Sequence, residues 1–383
     1  MKLERSAHTP RRALANDTGT LWLAAVLAGL WLVLAAIPGT RGVFLTQANL
    51  ATLLVQSAVL LVISVGMTLV ILIRGIDLSV GAGVALTGTV AAMLQLHCGA
   101  SAPLAIVAAL AVGALLGAWH GLWTGWIGVP SFIVTLAGFK AYRGGALVLS
   151  GAKGLSPMSA GFESLAGSVS SGLTYACVVA VLALGVALTL RDAQRRKQLA
   201  LAPLTSRVVA MRIGVQLGLA IVVLAVFGDR GMPVLVAIAA SVAVAGVFVT
   251  RRTRFGRHLY AIGGNPEAAR LSGIDVRKTT LGAFVIVGVL TALAGVMLAA
   301  RVNGVTPGSQ GNLLELDAVT AVVIGGTALG GGRGSVIGTV LGTLVFSTLA
   351  NGMNHLRVDS NLQLIFTGLV LLVAVGLSKG KRP

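Results

Sequence analysis

The run Arg74-Gly75-Ile76-Asp77-Leu78-Ser79-Val80-Gly81 sets a carboxylate, a hydroxyl and helix-breaking glycines between two long apolar segments. A charged side chain at the centre of a membrane helix costs roughly 2.5–3.5 kcal/mol on insertion scales, so an acid in such a place marks a polar cavity or a pathway. The chemistry this predicts is non-covalent: a route along which something crosses. Asp77 has two roles open to it. It can line the route, or it can cap the helix that follows, because an aspartate ahead of helix formers satisfies orphan amides. Ser79 has a similar choice between the route and its own helix.

A second run, Gly331-Gly-Arg333-Gly-Ser335-Val336-Ile337-Gly338, resembles the first and also interrupts a pair of apolar stretches. If the two correspond, Asp77 in one half matches Arg333 in the other and the chain is built from two related halves. The alternative is that small residues there merely let helices pack closely. Backbone groups freed by a glycine-rich break are tolerated in a membrane only inside protein or beside water, so both breaks are expected to flank the route. Gly128-Val129-Pro130-Ser131 is a third candidate break, because proline removes a donor and disfavours helix in the preceding residue. An ordinary loop start fits it equally well.

The elements that must position these residues follow from composition. Apolar residues make up 56% of the 383-residue chain and charged ones 10%, which predicts an all-α polytopic membrane protein. At about 20 apolar residues per span, crossings are expected at 21–37, 50–73, 80–96, 103–127, 131–149, 173–190, 213–227, 233–249, 281–300, 318–329, 335–350 and 362–377. Several are short, so the expected number is ten to twelve. Arg11-Arg12 superficially resembles an export signal, but no small-residue cleavage site follows the first apolar run, which is expected to be retained. Cys98 and Cys177 show no pairing logic and read as small buried hydrophobes.

The formal charge is +18, and the basic residues fall in four blocks, at 5–12, 191–212, 251–278 and 379–382. An even number of predicted crossings separates each block from the next, so all four are expected on the cytoplasmic face of the membrane. This gives cytoplasmic tails at 1–20 and 378–383, a membrane domain at 21–377 with basic loops at 191–212 and about 251–280, and a long, nearly uncharged outer loop at 151–172. None of the blocks is interleaved with aromatic residues, which argues against nucleic acid as a partner.

The block at 251–278 contains a compact helix signature. Asn265 can cap the N-terminus, Pro266 suits the first helical position, Glu267 suits the positive end of the dipole, and Gly273 can close the helix. The resulting two-turn helix, through Ala268, Ala269, Arg270 and Leu271, is too short to persist alone in water and must dock, on its own chain or on a partner. No phosphate-binding loop of the Gly-x-x-x-x-Gly-Lys-Ser/Thr type occurs, so any ATP hydrolysis belongs to another polypeptide. No metal-ligand spacing, nucleophile elbow or regular arginine ladder is present either.

Four motifs in order, Gly75-Ile-Asp-Leu-Ser-Val-Gly81, Gly128-Val-Pro-Ser-Phe-Ile-Val-Thr-Leu136, Arg254-Phe-Gly-Arg257 through Gly273, and Glu315-Leu-Asp317 through Gly334, resemble the permease subunits of bacterial ABC sugar importers over nearly the whole chain. The stretch 191–236, with Gly231-Met-Pro233, is similar to the longer xylose-type permeases, which implies a pentose. The resemblance further implies a second permease chain, a cytoplasmic ATP-binding subunit carrying ATP and Mg, a periplasmic or extracellular sugar-binding protein, and no cofactor on this chain. Residues 265–271 with Gly273 would be the ATPase-coupling element. Gly75, Asp77, Ser79, Gly81, Pro130, Phe132, Thr135, Gly331, Arg333 and Gly334 would line or gate the path, with Glu315 and Asp317 capping the next span. Arg74 departs from the small residue usual in the family, and would pair with Asp77 or snorkel to the membrane face. An ion-coupled carrier is the competing reading, and it would need no ATPase-docking helix.

Overall fold

The protein is described by a computed structural model over residues 11–198 and 205–379. The side chains of the basic blocks at 5–12 and 379–382, and residues 199–204 within the block at 191–212, lie outside the described residues. The helices are α1 (Arg11–Ala36), α2 (Gln47–Leu72), α3 (Val80–Cys98), α4 (Ala102–Leu122, continued by a π turn at Trp123–Ile127), α5 (Ser131–Ser150), α6 (Ala160–Ala166), α7 (Ser171–Gln198), α8 (Ser206–Phe227), α9 (Val234–Arg252), α10 (Arg254–Gly264), α11 (Pro266–Leu271), α12 (Val276–Arg301), α13 (Leu314–Ile324), α14 (Val336–His355) and α15 (Ser360–Lys379). Among the described residues ten helices are long and apolar enough to cross a membrane, with α15 a shorter apolar helix, and no strand occurs. The chain is an all-α polytopic membrane protein.

α2 is the buried axis of the bundle. Its Met67, Val70, Ile71 and Leu72 share one core with Phe284, Val287 and Met297 of α12, Val322 of α13 and Phe346 of α14. α14 runs antiparallel to α2 and is pinned to it near both ends. Thr68 and Thr339 hydrogen-bond at 2.7 Å toward one end, and toward the other the Asn49 amide donates to Asn351 Oδ1 at 3.2 Å while His355 Nε2 meets Asn49 Oδ1 at 2.7 Å. α8, by contrast, packs beside α7 at the edge and buries only Val226 and Phe227. Within the stretch 191–236, α8 is thus peripheral, with most of its surface turned away from the bundle.

The closest helix pair is α4 against α12. Gly113, Gly117, Gly121 and Gly125 recur every fourth residue, one stripe of a helix. A Cβ at Gly113 would overlap the Gly288 carbonyl, one at Gly117 the Phe284 carbonyl, and one at Gly121 would lie 2.7 Å from the Leu281 Cα. Lipid offers no hydrophobic drive for helices to associate, so this backbone-to-backbone van der Waals contact is what fixes the pair.

Three expectations need correction. The span expected at 318–329 is a helix of only 11 residues, Leu314–Ile324, about 16 Å long at 1.5 Å per residue. It covers only part of an apolar core about 30 Å thick, and irregular backbone flanks it on both sides, at 302–313 and 325–335. The loop expected at 151–172 contains α6, and its ends pair with distant segments through the bridges Leu155 to Val305 and Ser168 to Pro233. Cys98 and Cys177 are both exposed rather than buried: Cys98 ends α3 beside the turn at Gly99, and Cys177 lies near the start of α7, which buries only Thr174 and Thr189 among its described residues.

Gly117→Leu is expected to lower stability by about 1–3 kcal/mol through overpacking of the seam, read as a lower thermal unfolding midpoint in detergent. Gly218→Leu on α8, where nothing lies within 4 Å of an added Cβ, should leave the midpoint unchanged.

Candidate translocation site

The segment 73–79 between α2 and α3 is folded inward, with Gly75, Asp77 and Ser79 all buried. Its backbone donors find partners inside the protein, as lipid requires. Ile73 and Gly75 N–H donate to the Val70 carbonyl, Arg74 N–H donates to the Ile71 carbonyl, Ile76 N–H to Ser131 Oγ at 3.0 Å, and Leu78 N–H to Thr135 Oγ1 at 3.1 Å. Thr135 Oγ1 in turn donates to the Ile76 carbonyl at 3.2 Å. The hydroxyls at the start of α5 therefore act as a clasp on this connector.

Asp77 sits before the helix rather than at its cap. Ser79 occupies the N-cap position of α3 and makes no side-chain cap bond, while Asp77 Oδ1 accepts from Ser79 N–H at 2.8 Å and from Ser79 Oγ at 2.6 Å. The other carboxylate oxygen, Oδ2, faces His120 Nδ1 on α4 at 3.8 Å, and His120 Nε2 meets Tyr142 OH on α5 at 2.8 Å. Asp77, Ser79, Gly117, His120, Tyr142 and Thr291 line a small internal cavity where α3, α4, α5 and α12 converge. The α4–α12 seam and Gly138 of α5, whose absent Cβ leaves room for His120 Nε2, hold the imidazole there.

A second polar cluster surrounds the irregular segment 302–313. Arg143 Nη1 on α5 donates to the carbonyls of Pro307 and Gln310, each at 2.8 Å, and Thr306 N–H donates to Gln310 Oε1 at 3.1 Å. Gly81 of α3 faces this segment, because an added Cβ would overlap Glu315 Oε2 and the Gly311 carbonyl.

The irregular segment after α13 meets the connector directly. Gly332 N–H donates to the Leu72 carbonyl at 2.9 Å, and a Cβ at Gly263 of α10 would overlap that carbonyl and the Gly332 nitrogen. Arg74 neither pairs with Asp77 nor simply snorkels. Its Nε donates to the Gly263 carbonyl at 2.8 Å and its Nη2 to the Gly264 carbonyl at 2.6 Å. A guanidinium on the last carbonyls of α10 satisfies orphan acceptors at the negative end of the helix dipole, which is why the arginine prefers that place. Tyr260 OH donates to the Gly334 carbonyl at 2.9 Å, and burial pushes its phenol pKa up.

α11 is held to this junction by α10. Asn265 Oδ1 accepts from the N–H groups of Glu267 at 3.0 Å and Ala268 at 3.1 Å, Pro266 occupies the first turn, and Gly273 takes φ +81° just beyond the helix. Ala269 is buried, whereas Leu271 is 78% exposed. Arg270 donates to Glu267 at 2.6 Å and holds its carboxyl below the usual range, so the pair stays charged at neutral pH on an otherwise unoccupied surface.

Of the residues expected from the sequence, Gly75, Asp77, Ser79 and Thr135 meet at the connector, and Gly331 and Gly334 pack against Arg74 and Tyr260. Gly81 turns instead to the second cluster. Pro130 starts α5, so the ordinary loop start is the reading that holds for Gly128-Val129-Pro130-Ser131. Phe132 is 50% exposed on the outer side of α5 and lies apart from the rest, and Arg333, exposed, has no likeness in environment to buried Asp77. Glu315 and Asp317 sit in the first turn of α13, but the N-cap residue is Leu313 and no side-chain cap bond forms. His120, Tyr142, Arg143 and Gln310 were not singled out; a lone polar residue inside an apolar span is the signal for the first three, whereas Gln310 falls between expected spans and carries none.

The family model described as branched-chain amino acid transport system / permease component matches residues 49–375. The chain is 41% identical over 348 residues to the xylose transport system permease protein XylH of Escherichia coli strain K12, covering 90% of this chain and 88% of that one. It is 38% identical to XylH of Haemophilus influenzae, covering 90% and 92%, and 36% identical to the ribose import permease protein RbsC of Escherichia coli strain K12, covering 92% of both. No solved structure matches. The chain belongs to this family of transport-system permease components.

Asp77→Ala leaves Ser79 N–H and the facing His120 without their acceptor and is expected to cost about 1–3 kcal/mol, the range for an orphaned buried group. Asp77→Asn, which keeps an acceptor oxygen, should lose less; thermal unfolding in detergent measures both. If the two variants unfold together with the wild type, the Asp77 contacts carry no stability.

Proposed function

We propose that this chain is the membrane-spanning subunit of an ATP-driven importer of a pentose, with D-xylose the first candidate. The observation that carries this reading is the 41% identity to a xylose transport permease across 90% of the chain. A separate cytoplasmic ATPase subunit, holding ATP and Mg, would dock on α11 and drive alternating access; an extracellular or periplasmic sugar-binding protein would deliver the ligand at the opposite end, and a second permease chain would complete the channel. Several cationic side chains support the orientation. Arg251, Arg252, Arg254, Arg257, Arg277 and Lys278 gather around α10, α11 and the start of α12, the end assigned to the cytoplasm by the positive-inside rule. This supports the reading with both termini inside.

In mechanism, no covalent step is required. The exposed face of α11, with Leu271 and the Glu267–Arg270 pair, supplies the contact for the ATPase. Its movement passes through α10 to the point where the Leu72 carbonyl, Gly263 and Gly332 meet, and so reaches the α2–α3 connector and the segment ahead of α14 together. Such rigid-body transmission needs packed, bistable elements rather than flexible ones.

Proteoliposomes containing this chain, its ATPase and its loaded binding protein are expected to accumulate xylose only with ATP. Scrambling residues 265–273 should abolish ATPase association and uptake while the membrane domain stays folded. Uptake retained by the scrambled chain, or accumulation by the chain alone under an ion gradient, would replace this reading with the ion-coupled carrier.

A further inference from the structure

Three polar atoms near the irregular segment 302–313 are buried without any hydrogen-bond partner: Arg143 Nη2, Gln310 Nε2 and Glu315 Oε2. The last two belong to side chains only 8% and 6% exposed. Buried polar atoms in native proteins are nearly all paired, and an orphan costs about 1–3 kcal/mol, so three around one segment call for a reason. Folding alone does not supply one. Arg143 already satisfies two backbone carbonyls through Nη1, and Gln310 already caps Thr306 N–H through Oε1. Their second polar groups are surplus to bracing the segment.

Two of the three lie along one face of α3. Glu315 lies against Gly81 and Gln310 against Gly88, where an added Cβ would stand 3.5 Å from Gln310 Nε2. These glycines are seven residues apart, two turns on the same side of the helix. Arg143 reaches the same segment from α5 through the Gln310 carbonyl. Non-helical backbone at membrane depth is tolerated where it is enclosed by protein or lines an aqueous cavity, and segment 302–313 is irregular backbone leading into the short helix α13.

We propose that Arg143, Gln310 and Glu315 form a transit station for the hydroxyl groups of an uncharged polyol, at the point where segment 302–313 meets α13. The assignment rests on the pentose-importer reading above. A guanidinium and an amide donate and a carboxylate accepts, which matches hydroxyls that do both. The opposite charges of Arg143 and Glu315 disfavour a simple anion or cation, and Gly81, with no Cβ, lets Glu315 and the Gly311 carbonyl lie close against the α3 backbone. Few contacts suit a path whose ligand must also leave.

The test uses the full transporter in proteoliposomes with xylose as probe. Glu315→Gln and Arg143→Lys are compared with wild type for xylose imported per ATP hydrolysed, and for discrimination between xylose and its monodeoxy analogues. Loss of one charge-assisted hydrogen bond predicts a fall of at least about tenfold in xylose per ATP, with ATP hydrolysis stimulated by the loaded binding protein within about twofold of wild type, well under one such bond. At least one deoxy analogue disfavoured by wild type should be carried by a variant as well as xylose is. Unchanged xylose per ATP overturns the station, as does a parallel fall in uptake and ATP hydrolysis with analogue discrimination intact, which marks a bracing role only. A wild-type transporter that imports leucine and no pentose removes both this station and the sugar reading, since a zwitterion would use the same charge pair. Wild-type xylose import with indifferent variants removes the station alone.

Discussion

Hydrocarbon offers no partner to a peptide group, and three breaks in the helices of this protein are arranged around that fact. Segment 73–79 borrows the hydroxyls of Ser131 and Thr135, segment 302–313 borrows the guanidinium of Arg143, and the C-terminal carbonyls of α10 borrow that of Arg74. Each lender sits on an element that follows or precedes its borrower by dozens of residues, so the irregular segments can form only when the bundle has assembled. Their conformation is a property of the tertiary fold, and the side chains that hold them are held by it too.

The α4–α12 seam supplies the rigid reference. With no side chains between Gly113, Gly117, Gly121 and the α12 backbone, the two helices cannot slide without steric clash, and His120 is fixed relative to both Asp77 and Tyr142. Around this seam the polar groups are distributed unequally. The side chains of Asp77, Ser131 and Thr135 that hold the inner connector all have partners, while the cluster at segment 302–313 carries surplus donors and an acceptor. The first has the character of a joint and the second of a surface for something that comes and goes.

Much of this was readable in the chain. The basic blocks, the apolar runs and the two glycine-rich segments located the helices, and Asn265, Pro266 and Gly273 marked α11 within a residue, because capping is a local matter between neighbours. α13 was misread since apolar residues continue past Ile324 through Ala328 and Leu329, so hydropathy extends a helix that Gly325 and Gly326 end. The choice between cap and lining for Asp77 depended on His120, and the fate of Arg74 depended on Gly263 and Gly264, partners more than forty and nearly two hundred residues away. Arg143 escaped notice because one arginine in an apolar span has no spacing to betray it. Its meaning lies in carbonyls on the far side of the sequence.

Where the Leu72 carbonyl, Gly263 and Gly332 touch, three stretches of main chain share one spot with no side chain to cushion them. Mechanically this resembles a common axle: α10 cannot tilt without carrying the inner ends of α2 and of the strand of chain leading into α14 along with it. Whatever pushes on that end of the molecule therefore acts on both parts of the bundle in a single stroke, with no slack in which one could open while the other stays shut.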